Sequence, residues 1–395
     1  MAYIGKQPAA VALASSDITD GIISTAKIAD DAVTVAKTSY QDIPFRNIII
    51  NGDMSIAQRS ASASSLTSSG YHAIDRFRCV IVTAGTWTIS QSTTVPSGQG
   101  FAKSLKWDNT TADGSLGSGD FVSVQQFIEG QNLQHLKKGT SNAESLTVSF
   151  WVRSNKTGTY ILELKDNDNT RAISQSYTIS SADTWEKKTL TFAGDTTGTL
   201  DNDNAASFLV QFALAAGSNY TSGTLQTSWG SETTANRYVG QVNLADSTSN
   251  EWDMTGLQVE VGTSASDFEF LPVDVNLQRC QRYYYLHSGA LPAGTSGTNK
   301  PLGTGHHYSA TYLGLCLQFP TTMRAAPSTV SPNSSNYFVF YRDGGNDQFD
   351  TLAVEVVSPT GIQVFNGSQV SGTAGQAGAI RTNDASSYLA FESEL

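Results

Sequence analysis

Leu146-Thr147-Val148-Ser149-Phe150-Trp151-Val152 decides the fold class. Leu146, Val148, Phe150 and Val152 fall on one side, and Thr147, Ser149 and Trp151 on the other. A period of two is the strand period, with one face buried and one facing solvent. The pattern recurs outward from this stretch. Tyr160, Leu162 and Leu164 alternate with Ile161, Glu163 and Lys165. Leu190 and Phe192 alternate with Thr189 and Thr191. Phe208, Val210, Phe212 and Leu214 share a face, and Leu257, Val259 and Val261 alternate with Gln258 and Glu260. One-sided burial is the antiparallel signature. Many such strands joined by polar turns predict a jelly roll or β-sandwich.

The flanks are read the same way. Ile48 to Ile50 predict a buried strand ended by a tight turn at Asn51-Gly52. Val275, Leu277, Cys280 and Tyr284 have mixed three- and four-residue spacing after Pro272, which predicts a connector helix over 272–285. Beyond it Leu313, Leu315, Leu317 and Phe319 alternate with Tyr312, Gly314, Cys316 and Gln318. Further strands are expected at 337–341, 353–357, 362–365 and 388–391, with turns at Gly344-Gly345 and Asn366-Gly367. The expected chain is all-β. It has an N-terminal segment (1–43), a jelly-roll domain (44–271), the connector (272–285) and a second small β-sandwich (286–395).

Residues 1–43 differ from the rest. Tyr3 and Tyr40 are their aromatics, and Asp20-Gly-Ile-Ile-Ser-Thr-Ala-Lys27 aligns with Asp30-Asp-Ala-Val-Thr-Val-Ala-Lys37. Two such short units have too little apolar surface to offset their ordering entropy. The segment is expected to lie against a copy of itself or another protein. Lys6 precedes a short apolar stretch, Ala9 to Ala14, but Gly5 and Pro8 interrupt its approach, so no signal peptide is expected.

The 395 residues carry a net charge of −11, and 15% of them are charged, against roughly 25% in an average soluble protein. Hydroxyls and amides, more than charge, make the surface polar. Aromatics at 10% exclude disorder, and the composition lacks a coiled coil's Ala, Glu, Lys, Leu and Arg. No apolar run approaches a membrane span, so no membrane insertion is expected. Without a basic cluster, no nucleic-acid partner is expected either.

Candidate chemistry is sparse. No nucleophile elbow, phosphate loop or His-Glu-x-x-His occurs. His306 and His307 are adjacent, and neighbours on a strand point to opposite faces. Cys79, Cys280 and Cys316 are far apart and read as three buried free thiols. Asp166 and Asp168, and Asp201 and Asp203, are spaced to offer oxygen ligands to calcium or to form a glycosidase pair. Their place beside strands favours turns instead. Aromatics are the remaining candidates, because sugar rings stack on flat apolar faces while amides and hydroxyls bond their hydroxyls. Trp87, Trp107, Trp151, Trp185, Trp229 and Trp252 all lie in the jelly-roll region, and Trp151 faces away from Val148 and Phe150. Tyr283, Tyr284, Tyr285, Tyr308, Tyr312, Tyr337 and Tyr341 offer similar rings further on. Trp151, Trp229, Tyr308, Tyr312 and Tyr337 are the candidate glycan contacts.

Four ordered segments resemble bacteriophage tail fibre proteins of the marine and environmental type. They are Met1-Ala-Tyr-Ile-Gly-Lys-Gln-Pro8; Ser16 to Asp30; Arg46-Asn-Ile-Ile-Ile-Asn-Gly-Asp-Met-Ser-Ile-Ala-Gln-Arg59 with Asp75-Arg76-Phe77; and Leu257 to Phe270 followed by Cys280-Gln-Arg-Tyr-Tyr-Tyr285. Together they bracket residues 1–285. The resemblance implies a homotrimeric receptor-binding protein of the virion tail fibre. Its segment 1–43 would attach to a tail adaptor or portal-proximal tail protein. Its distal domains would bind host-surface polysaccharide or glycan, through a jelly roll like those of carbohydrate-binding domains. It supplies no fixed ligand residues. No cofactor and no catalysis are expected. The rivals are a polysaccharide-cleaving tailspike and a structural head fibre or tail component; the sequence lacks the repeats of a β-helix spike.

Overall fold

Alternating strands bury their apolar sides against one another, and here two antiparallel layers do so. The computed structural model describes residues 45–289, 296–331 and 335–395. The segment 1–43, its repeat and its attachment role lie outside the described residues. The first sandwich contains β1 (Ser62–Leu66), β2 (Gly70–Tyr71), β3 (Arg78–Val82), β4 (Thr86–Ser92), β5 (Ser104–Thr111), β6 (Phe121–Glu129), β7 (Leu146–Ser154), β8 (Gly158–Asp166), β9 (Arg171–Ile179), β10 (Glu186–Phe192), β11 (Ala206–Ala216), β12 (Gly230–Ser231) and β13 (Glu251–Val261). One sheet has the order β1-β4-β5-β13-β7-β10, the other β12-β9-β8-β11-β6-β3-β2. Val148, Phe150 and Val152 of β7 meet Leu162 and Leu164 of β8 and Phe208, Val210 and Phe212 of β11 in one core, with Trp87, Trp107 and Trp252 fully buried among them.

The expectation of one solvated face fails for the second sheet. Val80, Phe121, Ile161 and Ala213 on its outer side are covered by Tyr238, with Tyr220 and Leu225 alongside. Polar side chains there are linked in a chain. Gln125 donates to Gln211, Gln211 to the Tyr238 hydroxyl, and Tyr238 to Glu163, whose carboxylate also takes the Arg237 Nε at 2.9 Å. A fully buried carboxylate persists because its acceptor sites are filled.

Ile48–Ile50 are packed inward but form no strand, which corrects the sequence reading. One backbone bond, from the Ile48 N–H to the Val259 carbonyl at 2.9 Å, remains, and side-chain amides supply the other partners. Asn47 Oδ1 accepts from the N–H groups of Ile49 and Val259, each at 3.0 Å. Gln126 accepts from the Ile50 N–H at 2.8 Å and donates to its carbonyl at 3.0 Å. Every buried N–H needs such a partner, and it need not be another strand. The turn at Asn51 is formed with φ of 63°. Gly52 is required by proximity: a Cβ there would lie 2.1 Å from the Leu257 carbonyl oxygen.

The helix spans Val273–Gln281, shorter than expected, because Tyr284 already belongs to a strand. The second sandwich contains β14 (Tyr284–Gly289), β15 (Pro301–Ser309), β16 (Tyr312–Gln318), β17 (Ser328–Val330), β18 (Phe338–Arg342), β19 (Gly345–Phe349), β20 (Ala353–Ser358), β21 (Gly361–Asn366), β22 (Ala377–Thr382) and β23 (Tyr388–Glu392). A sheet ordered β19-β18-β22-β15-β16-β21-β20 faces the shorter β14-β23-β17, over a core that includes Leu315, Phe338, Phe340, Ile380 and Phe391. A further cluster of Ile50, Ile56, Cys280 and Tyr283, with Leu395 against it, lies at the junction of the sandwiches.

Candidate functional site

The period of two puts Trp151 on the outer side of its sheet. Cross-strand pairing sets its neighbours: Lys187 on β10 and Thr255 on β13 lie opposite it. Register between β7 and β13 slips between Thr255 and Gln258, and Gly256 occupies the slip with φ of 63°. A Cβ on Gly256 would come within 2.5 Å of the Phe101 ring, so glycine lets that ring settle on the strand. Phe101 then meets Phe268 and Phe270 at 5.1 Å each, and these two are 4.9 Å apart.

The result is a 370 Å³ groove between Trp151 and the phenylalanine cluster, with Gln99, Ser149, Lys187 and Asp267 on its lining. Phe270 is 51% exposed, an unusual state for a phenylalanine. Lys187 is exposed and has no ion pair among the described residues. The groove pairs flat apolar faces with a few separated polar groups, which suits a ligand that has one apolar face and several hydroxyls.

An ion cluster adjoins it. Arg153 pairs with Asp183 at 2.8 Å and Asp253 at 2.9 Å, and also with Glu251, which Lys106 reaches at 2.5 Å. Burial, then the Glu251 charge, pushes Asp253 up to about 6, but its side chain is fully buried. A general acid must reach the atom it protonates, and Asp253 reaches no solvent.

The remaining sequence candidates are dispersed. Trp229 lines a separate 420 Å³ pocket with Arg171, Gln175 and several threonines. Its Nε1 donates to the Ala193 carbonyl at 2.7 Å, and its ring lies 4.4 Å from the Lys138 Nζ. Tyr312 stacks on Phe365 at 4.9 Å and 6°, with Tyr308 edge-on at 5.8 Å. The Tyr312 hydroxyl donates to Glu355, and Tyr308 is 77% exposed, so this pair forms a second surface, on the C-terminal sandwich. Tyr337 does not reach a surface: it is 1% exposed in the second core, with its hydroxyl on the Ser386 carbonyl. Tyr283 and Tyr284 are buried likewise, whereas Cys316, expected inside, is exposed.

The acidic pairs serve the backbone and Lys138. Asp166 and Asp195 each hold the Lys138 ammonium at 3.0 Å. Burial opposes ionisation of Asp195, but hydrogen bonds from Arg171, Thr197 and Lys138 hold it down to about 2. Asp168 accepts from the Asp201 N–H and Asp203 from the Ala205 N–H, both at 2.9 Å. Among the described residues no three His, Cys, Asp or Glu side chains converge as a metal site requires. His307 is buried and His306 exposed, on opposite faces as expected.

Sequence reasoning selected Trp151 but missed Phe101, Phe268, Phe270 and Lys187. Phe268 and Phe270 lie inside a segment already noted for its resemblance, and their spacing of two was the available signal.

No protein-family model matches this chain, and no curated protein matches it. Among solved structures the chain is similar to the enzymatically active domain of tailspike protein 4 of bacteriophage CBA120, with 13% identity and a TM-score of 0.29 over 56% of this chain. The matched region is 22% of that tailspike chain. It is also similar to TmCBM61 in complex with β-1,4-galactotriose, with 10% identity and a TM-score of 0.29 over 55% of this chain and 99% of that one. A third likeness is to the family 11 carbohydrate-binding module of cellulase Lic26A-Cel5E of Clostridium thermocellum, with 12% identity and a TM-score of 0.25 over 52% and 98%.

Proposed function

We propose that this chain is a non-enzymatic phage tail fibre protein that binds a glycan of the host surface through the Trp151 groove. The groove carries the reading: a half-buried tryptophan and an exposed phenylalanine flank the polar side chains of Gln99, Ser149, Lys187 and Asp267. The ordered sequence segments support the fibre assignment, with segment 1–43 as the virion attachment and three copies per fibre. Several weak sites on one particle bind far more tightly than one.

Screening the full chain against a glycan array tests the binding. Retention of a glycan, with no new reducing ends on incubation, fits the proposal. Release of reducing ends favours the tailspike rival. Failure to retain any glycan favours a structural virion component. Light scattering tests the trimer, which a stable monomer contradicts.

A further inference from the structure

A third cavity, of 520 Å³, opens beside the helix Val273–Gln281, and its lining includes Phe45, Ile48, Tyr283, Asn132, His135 and Arg279. Two arginines meet it in different states. Arg282 is neutralised by Glu129, at 2.7 and 2.6 Å. Arg279 is partly buried and has no ion pair among the described residues. It makes one long hydrogen bond, from Nη2 to the Asn47 carbonyl at 3.3 Å. Elsewhere Arg59, Arg76, Arg153, Arg171 and Arg237 each face a carboxylate. Burial lowers the Arg279 pKa from its ordinary value and outweighs the opposing pull of Cys280, Glu269 and Tyr283, none of which forms an ion pair with it among the described residues.

A guanidinium has five donors in a planar fork, and most of those on Arg279 are unused. The fork matches a carboxylate, and that pairing is stronger in a partly desolvated pocket than in water. Asn132 is exposed on the lining and has no side-chain hydrogen bond among the described residues. Phe45, Ile48 and Tyr283 supply apolar walls.

We propose that this pocket binds an organic carboxylate, gripped by Arg279, with its body against Phe45, Ile48 and Tyr283. The carboxylate belongs either to a uronic acid of a polysaccharide or to a small free acid. The site is separate from the Trp151 groove and does not depend on the proposal made for it.

Saturation-transfer NMR on the full chain, with glucuronate, phenylacetate and glucose as probes, tests this. At least one carboxylate should bind at least tenfold more tightly than glucose, by about the contribution of a charged hydrogen bond. Binding of glucuronate alone identifies the uronate source, and of phenylacetate alone the free acid; binding of both supports the shared chemistry. Arg279→Gln should weaken it about tenfold. Asn132→Asp, an exposed and conservative change, should weaken it severalfold by repulsion and decides the matter if Arg279→Gln fails to fold. Trp151→Ala should leave it intact. The proposal is overturned if neither carboxylate outbinds glucose, if Asn132→Asp or a folded Arg279→Gln binds like the parent, or if Trp151→Ala abolishes binding.

Discussion

The Arg76 guanidinium lies 3.4 Å over the Tyr283 ring, and through it the two sandwiches are joined. Arg76 also pairs with Glu394, near the C-terminus, and donates to the Phe127 carbonyl at 2.7 Å. Arg59 repeats the arrangement, 3.8 Å over the Tyr284 ring and 3.1 Å from Glu394. Gln58 bonds Asp75 and donates to the Tyr284 carbonyl at 2.7 Å. The segments noted for their resemblance, 46–59, 75–77 and 280–285, thus converge on one buried, charged junction.

Removing one charge there should cost much more than removing both. Arg76→Ala leaves Glu394 buried and without its main partner, a loss of about 3–5 kcal/mol. The double variant Arg76→Met with Glu394→Leu should lose much less, because Arg59, which then also loses Glu394, still faces Glu392 at 3.6 Å. Chemical denaturation of both variants checks this, and equal losses would contradict it.

The junction should also respond to pH. Burial pushes Asp75 up to about 6 from 3.8, against the pull of Arg59. A raised value means that the folded state holds the proton more tightly than the unfolded state. That stabilisation is complete below about pH 4 and is lost as pH rises through about 6. Asp75→Asn cannot ionise, so its stability relative to the parent should improve by about 1 kcal/mol from pH 5 to pH 7. Denaturation at both pH values measures the difference, and an unchanged or reversed gap would contradict the account.

Calcium should not stabilise the protein through its acidic pairs. The Lys138 ammonium already sits 3.0 Å from both Asp166 and Asp195, and a cation there would have to displace it. Millimolar calcium should leave the melting temperature unchanged, since only a ligand of the folded state raises it. A calcium-dependent rise abolished by Asp166→Asn would overturn this.

The strands were legible because the shared apolar core on one face writes a period of two into β7, β8 and β11. That rule could not show that Tyr238 covers the outer side of β11, since the covering segment lies more than twenty residues away in sequence. Ile48–Ile50 resembled a strand because an apolar run reports burial, not hydrogen-bond partners, and here Asn47 and Gln126 supply the partners. The sequence implies too long a helix because Tyr284 fits a helical spacing as readily as a strand. Tyr337 and Tyr312 are chemically alike, and only tertiary packing puts one in the core and the other at the surface. The groove gave one local sign, Trp151 opposite Val148 and Phe150; its other wall comes from residues 101 and 268–270, which the fold brings together.

Trp151 and its groove are proposed to hold the glycan. The most direct test is the affinity of the full chain for the best glycan on an array, compared with Trp151→Ala, after denaturation has shown both to be folded. Loss of a stacking residue that forms one wall of the site should weaken binding at least about tenfold, while Tyr312→Ala on the other sandwich binds like the parent. Parental affinity in Trp151→Ala would contradict the account and move the receptor site elsewhere on the chain.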